Sequence, residues 1–454
     1  MFGSIHAFRR HSPTGRDQPE ARSCTVSYGT TATAVRSLIG FVLLLCLLVT
    51  PPAGPAQAGD GFPELVEVFG RISPETRVFP QKAAYPDQRS HASGVAVEAT
   101  VYMEGDQGTS VTVTPFFRYD AGDPERTHAD LREAFLLTYG DLGDDEWELR
   151  LGVDRVFWGV VESRSLVDIV NQSDVVEHPD EKTKMGQPMV HLTWSGDWGA
   201  LEGFVLTGHR PRTFPGRHGR LRTGLFVDHE LTSYEAEAKE WHVDLAARFT
   251  SNFGPLGLGL SVFDGTSREP ALLLVPVAGG LVLAPHYELI TQYGLDAQYT
   301  SGSWLLKLEV IHRTGARNRR IDQFLRYEEK DYSAFIVGGE YAINGIWESD
   351  ADLTLFAEWT RDGRGRWATN GFDNDLLLAA RVGLNDEPGT EFTVSVLNSL
   401  ANSSRVLTAE FKRRLSDNWF LHVESTVYLD IDESDQIYDV RRDSFVGVNV
   451  DYNF

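Results

Sequence analysis

The residues of this chain that could do chemistry are charged, and they recur on alternate positions. In WELRLGVD (residues 147–154), Glu148, Arg150 and Asp154 fall on one face of an extended segment, and Trp147, Leu149, Leu151 and Val153 fall on the other. The same alternation sets Asp244 and Arg248 against Leu245, Ala247 and Phe249. It groups Lys307 with Glu309, and puts Glu358, Glu410, Lys412 and Glu424 on the polar sides of their own segments. Such mixed rows support two kinds of chemistry: cross-strand ion pairs that stiffen a wetted wall, or a ladder of fixed charge that sorts ions. Covalent catalysis asks for more than this. His242 and His422 stand isolated on polar faces, and neither an H-E-x-x-H pair nor a phosphate-cradling glycine loop occurs. No enzyme, cofactor or metal site is expected.

What must position these rows is a set of strands, because only a period of two separates the two faces so cleanly. WHVDLAARF (241–249), WLLKLEVIHR (304–313), DLTLFAEWT (352–360) and WFLHVESTVYL (419–429) all read this way. The connections between them alternate: tight turns such as SGDW, SNFGP, TSGS and LSDN, and long stretches at 157–187, 209–240 and 265–288. A soluble sandwich has no reason for that rhythm. A membrane barrel does, with short periplasmic turns and long extracellular loops. The spacing predicts an all-β transmembrane antiparallel barrel of about 18 strands, with 16 as the alternative, the first over 64–72 and the rest between residues 94 and 454. Lipid offers no hydrogen bonds, so the sheet must close. Aromatics at strand ends, Tyr139, Trp147, Trp241, Trp304, Trp359 and Trp419, suit the two interfacial girdles.

Composition narrows the class further. Arg36, the apolar run LIGFVLLLCLLV (38–49) and an Ala-Gln-Ala end at 56–58 have the parts of a secretory signal peptide, with a core too short to span a membrane. The expectation is a removed leader over 1–58 and one barrel domain over 59–454. Leu45 before Cys46 is too bulky for a lipidation signal. Both cysteines, Cys24 and Cys46, lie in the leader, which leaves no thiol for disulfides or metal after it. Residues after 58 carry 63 of the 65 acidic and 37 of the 42 basic side chains, a balance that argues against nucleic acid as a partner.

Two stretches resemble known families. The last segment, SFVGVNVDYNF (444–454), sets Val446, Val448, Val450, Tyr452 and Phe454 in one apolar row. An alternating strand ending in Phe resembles the signal read by the bacterial outer-membrane barrel-assembly machinery, which the resemblance implies as a partner through Val450, Tyr452 and Phe454. The segment 149–174 resembles one found in uncharacterised porin-like and alginate-export-type barrels, through Gly152, Trp158-Gly159, Asp168, Ile169, Val170, Asn171 and Asp174. It departs at Gln172, where such barrels often carry proline.

A barrel this wide leaves an aqueous lumen, and the expected pore lining is Glu148, Arg150, Asp154, Asp244, Arg248, Lys307, Glu309, Glu358 and Glu424. Loops 157–187 and 265–288 are expected to fold inward and narrow it. The second contains the apolar run ALLLVPVAGGLVLA (271–284), which would fold inward, pack over the mouth or receive a hydrophobic solute. Arginines cluster in the loops: Arg210, Arg212, Arg217, Arg220 and Arg222, then Arg319 and Arg320. They allow contact with lipopolysaccharide phosphates, a funnel for anions, or plain solvated charge. The expectation is a passive outer-membrane channel for small hydrophilic solutes, anions among them, with membrane lipid and lipopolysaccharide as its surroundings. The alternative is a closed barrel serving surface binding, polysaccharide or hydrophobic-solute transport, or an enzyme.

Overall fold

The computed structural model describes residues 62–105, 108–319, 327–329, 331–371 and 373–454; the leader and Arg320 lie outside them. Eighteen strands form one sheet. They are β1 (Leu65–Val78), β2 (His91–Glu104), β3 (Ser110–Asp120), β4 (His128–Leu142), β5 (Asp145–Asp154), β6 (Gln187–Gly196), β7 (Gly199–Leu206), β8 (Asp244–Phe253) and β9 (Leu256–Thr266). The second half holds β10 (Leu289–Ser301), β11 (Trp304–Thr314), β12 (Tyr332–Ile343), β13 (Asp352–Asp362), β14 (Asn374–Gly383), β15 (Glu391–Ser399), β16 (Arg405–Arg414), β17 (Trp419–Leu429) and β18 (Phe445–Asn453). Each pairs antiparallel with the next, and β18 returns to β1 with Ile72 opposite Tyr452 and Val78 opposite Val446. The cylinder is therefore closed. Its seam ends on Phe454, which exchanges backbone hydrogen bonds of 3.1 and 3.0 Å with Gly70. A β-carbon at Gly70 would stand 2.8 Å from the Phe454 ring, so glycine makes room for the aromatic cover there.

Connections sort by end. At one rim they run two to eight residues, as in 143–144 and 302–303; at the other they run five to 37, the longest being 155–186, 207–243 and 267–288. The outward rows are apolar and exposed, among them Phe69, Leu151, Leu192, Leu245, Leu306, Leu355, Val394 and Val446. Exposed leucine and valine recurring on the outside of most strands suit hydrocarbon as solvent. Aromatic pairs ring the turn end, Trp304 on Tyr341 at 4.6 Å, Phe392 on Phe411 at 4.9 Å and Trp419 on Tyr452 at 5.0 Å. The strand expected from Trp241 begins only at Asp244, because Lys239–Trp241 is a 3-10 turn.

The interior is not uniformly wet. Met189, Phe204, Leu206, Ala246, Phe263, Ile290, Ile311 and Ala334, lumenal residues of β6–β12, form a buried cluster with Trp158, Val167, Ile169 and Val170 of the 155–186 loop. The loop thus lies inside the cylinder and gives half of it a dry core. This corrects the expectation of charged rows facing water all round: on β6–β12 the lumenal row turns apolar toward the loop end, because the loop covers it there.

Candidate functional site: the divided lumen

Two carboxylates at mid-height seat the loop. Glu309 on β11 accepts from Val160 N (2.8 Å) and Val161 N (3.3 Å) on one oxygen, and from Leu166 N (2.7 Å), Val167 N (3.3 Å) and Ser165 Oγ (3.0 Å) on the other. Glu358 on β13 accepts from Glu162 N (2.7 Å) and Ser163 N (2.9 Å). Converging amide N–H groups are strong partners for a buried carboxylate. Gly159 has φ +125°, and a β-carbon on it would lie 2.6 Å from Glu309 Oε1 and 2.2 Å from Ser165 Oγ. Only glycine leaves that space open. Asn171 pins the base of the loop, donating to the carbonyls of Asp154 and Met185 at 2.9 Å each and accepting from Val156 N at 3.0 Å. Gln172, at the position where proline was the usual residue, is fully buried and meets Arg210 O (3.3 Å) and Arg212 Nε (3.3 Å).

The far side of the loop is clamped by ion pairs. Arg132 holds Asp174 at 2.7 Å, Arg118 holds Glu177 at 2.5 Å, and His178 bridges Asp180 (3.0 Å) and Glu424 (3.1 Å). Burial would raise the Asp174 carboxyl, yet the His128 ring 3.6 Å away and the Arg132 guanidinium hold it below the usual carboxylate range. Burial alone would lower His178, but its two acidic partners push it up to about 9. His178 is therefore a cation at neutral pH and a clip between loop and wall. Glu269, beside Arg164 and Arg313, is lowered to about 2 despite burial, because Arg164, Arg364, Arg313 and Arg212 surround it.

Two sizeable cavities lie beside this plug. One of about 730 Å³ lies among residues toward the turn end of β5–β8, bordered by Glu148, Arg150, His191, Glu202 and Arg248. The other, about 1370 Å³, follows the lumenal faces of β14–β18 from the loop-end residues Asp435 and Asp439 to Glu391 and Lys412 near the turn end. Of the nine expected lining residues, Glu424 borders the larger cavity and Glu148, Arg150 and Arg248 the smaller. Asp154, Asp244, Lys307, Glu309 and Glu358 border neither. Lys307 is held by Glu162 (3.0 Å) and Glu340, and Asp244 accepts from Arg268 (2.9 Å) and Thr266 N (2.9 Å), so each is committed inside the packed half. Arg150 is shared between Glu148 (2.7 Å) and Asp154 (3.2 Å).

The arginine-rich loop also turns inward. Arg210 pairs with Asp130 at 2.5 Å and Arg212 with Glu181 at 3.1 Å, while buried Arg220 pairs with Asp443 at 2.7 Å. Arg222 donates to the carbonyls of Thr223 and Gly224. Arg217 alone of the five is exposed, lying over the Phe226 ring. Arg319 belongs to a short hairpin strand, Arg317–Arg319. The apolar run forms a hairpin, Ala271–Val277 with Gly280–Tyr287, and its Leu272, Leu274 and Leu283 border the larger cavity while Val277 and Leu281 at the tip are exposed. Val450, Tyr452 and Phe454 lie in β18 and at its end, with Tyr452 against Trp419.

Sequence reasoning missed the lumenal rows of β14–β16: Asp375, Leu377, Ala379 and Arg381, then Thr393, Ser395 and Leu397, then Val406 and Thr408. On β14 both faces are apolar in the middle, so alternation gave no contrast there.

The chain is thus all-β, a closed 18-stranded antiparallel barrel with an apolar outer face and a loop folded into its lumen. No protein-family model and no curated protein sequence matches it. Solved structures with a similar fold include OmpT, an outer membrane protein of Vibrio cholerae. Its loop L8 deletion mutant has 11% identity, 86% of this chain and 99% of that one covered, and a TM-score of 0.41. A mutant of the Rh. blastica porin has 11% identity, 86% and 100% covered, and a TM-score of 0.39.

Proposed function

We propose that the protein is a passive channel for small hydrophilic solutes, with cations favoured over anions. The carrying observation is the cavity along β14–β18, whose lining reaches from the loop end toward the turn end. Eleven carboxylates border it against seven lysine and arginine side chains and the His178 cation, and a low-dielectric wall focuses the excess sign. The loop arginines that allowed an anion funnel are mostly spent on partners within the chain, so they add little field to the passage. In this reading residues 1–58 export the chain, and Val450, Tyr452 and Phe454 present it to the assembly machinery. The test is current through bilayers holding the purified barrel under a KCl gradient. A reversal potential on the potassium side is expected, reduced when Glu391 and Glu410 become glutamine. Silence in every bilayer would end the channel reading, and a chloride-side potential would end its sign.

A further inference from the structure

The apolar lumenal residues of β6–β12 are covered by the inserted loop, whereas among the described residues those of β14–β17 are left facing the larger cavity. Leu377 stands directly opposite Leu397, Leu397 opposite Val406, and Val406 opposite Tyr428. Residues so paired have β-carbons about 5 Å apart, so the four make one continuous belt around a quarter of the wall. All are half-buried and border the larger cavity, as do Leu274 and Leu283 of the apolar hairpin. A belt that merely completed a core would be covered; this one is left to the cavity, at a cost in apolar surface facing water. Acids flank it on both sides. Asp375 is two residues up β14, about 7 Å along the strand, and borders the cavity together with Asp435; Glu410 and Glu424, four residues down β16 and β17 and about 13 Å away, are already met by Lys412 (3.1 Å) and by His178 (3.1 Å).

We propose that this belt is a binding station for small organic ammonium ions with an aromatic or branched apolar body, the body lying on Leu377, Leu397, Val406 and Tyr428 and the charge facing Asp375. The assignment rests on the channel reading for its route of access and names the solute class that route would select. An inorganic ion has no use for the leucines, and an apolar anion would meet Asp375.

The test uses the whole barrel in bilayers with benzyltrimethylammonium, tetramethylammonium and benzenesulfonate added to KCl. Benzyltrimethylammonium is expected to block at about tenfold lower concentration than tetramethylammonium, and benzenesulfonate not to block. Leu397→Ser should raise the half-blocking concentration of the aromatic cation about fivefold, the order expected from losing a few buried methylene contacts. Val406→Thr, which keeps the shape, should shift it in the same direction, each variant being scaled to its own KCl current. Equal block by the two cations, or block indifferent to both substitutions, overturns the proposal. If no current flows at all, the channel reading falls separately. Equilibrium dialysis of the detergent-folded barrel with the same probes then decides the station: tighter uptake of the aromatic cation keeps it, and equal uptake removes it.

Discussion

Replacing Glu309 by glutamine is the sharpest perturbation of the divided lumen. The carboxylate is fully buried and receives four backbone N–H groups and one hydroxyl, split between its two oxygens. Glutamine keeps one acceptor oxygen and turns the other into a donor, so whichever way the amide lies, two N–H groups face an NH2. Hydrogen bonds to a charged group contribute about 1.5–3 kcal/mol each. The pair lost would amount to about 3–6 kcal/mol if nothing replaced it, and water reaching the loop from the neighbouring cavity recovers part. A net of about 3 kcal/mol is a shift of roughly a hundredfold in the seated-to-released ratio. The loop stays mostly seated, because Glu358 and the buried Trp158, Val167 and Val170 remain. Its released fraction is what trypsin reads at Arg164 and Lys182, so cleavage there should speed up by roughly a hundredfold when release is fast compared with cutting. Heat-modifiable gel migration of the uncut protein confirms that the barrel itself has folded. If the variant resists trypsin as well as the parent, the carboxylate does not anchor the loop and the account of the plug is wrong.

Other expectations follow from the same geometry. Because His178 is raised to about 9, its clip to Glu424 and Asp180 is fully present below about pH 6.5 and lost as pH rises through about 9; tryptic release of the loop should climb between pH 8 and 10, and His178→Ala should abolish that climb. Glu269 is lowered to about 2, so its contribution to the loop-end arginine network holds above about pH 4.5 and fades only as pH falls toward 2, which protease resistance across an acid series would show. Arg220→Ala strands fully buried Asp443 and should cost about 3–5 kcal/mol locally, read as faster proteolysis of the 430–444 loop. At the seam, Gly70→Leu would press a side chain into Glu98 O (2.4 Å from the β-carbon) and the Phe454 ring, and should lower the yield of heat-modifiable barrel in refolding.

The cylinder was legible in the sequence for a plain reason: lipid outside and water or ion pairs inside impose period two on nearly every strand, and the turn and loop lengths then count the strands. The plug was legible only in part. Trp158-Gly159, Asp168, Asn171 and Asp174 marked the right loop, but Glu309 and Glu358 read as pore walls, because a carboxylate on a lumenal face looks the same whether water or a row of amides meets it. The arginines of 209–224 misled similarly, since their acidic partners Asp130, Glu181 and Asp443 lie far away in sequence. Open wall at β14–β16 escaped notice where Leu376 and Leu378 outside flank Leu377 inside.

An interior that is dry on one flank and wet on the other divides the labour of evolution. Strands β6–β12 are keyed to an inserted segment, and a change on their inner face must fit neighbours on both sides. Strands β14–β17 mostly line the open cavity there, so exchanges at Thr393, Ser395, Thr408 and Thr426 disturb less packing. Such a cylinder can change what it admits by drifting along one flank while the opposite flank keeps its shape.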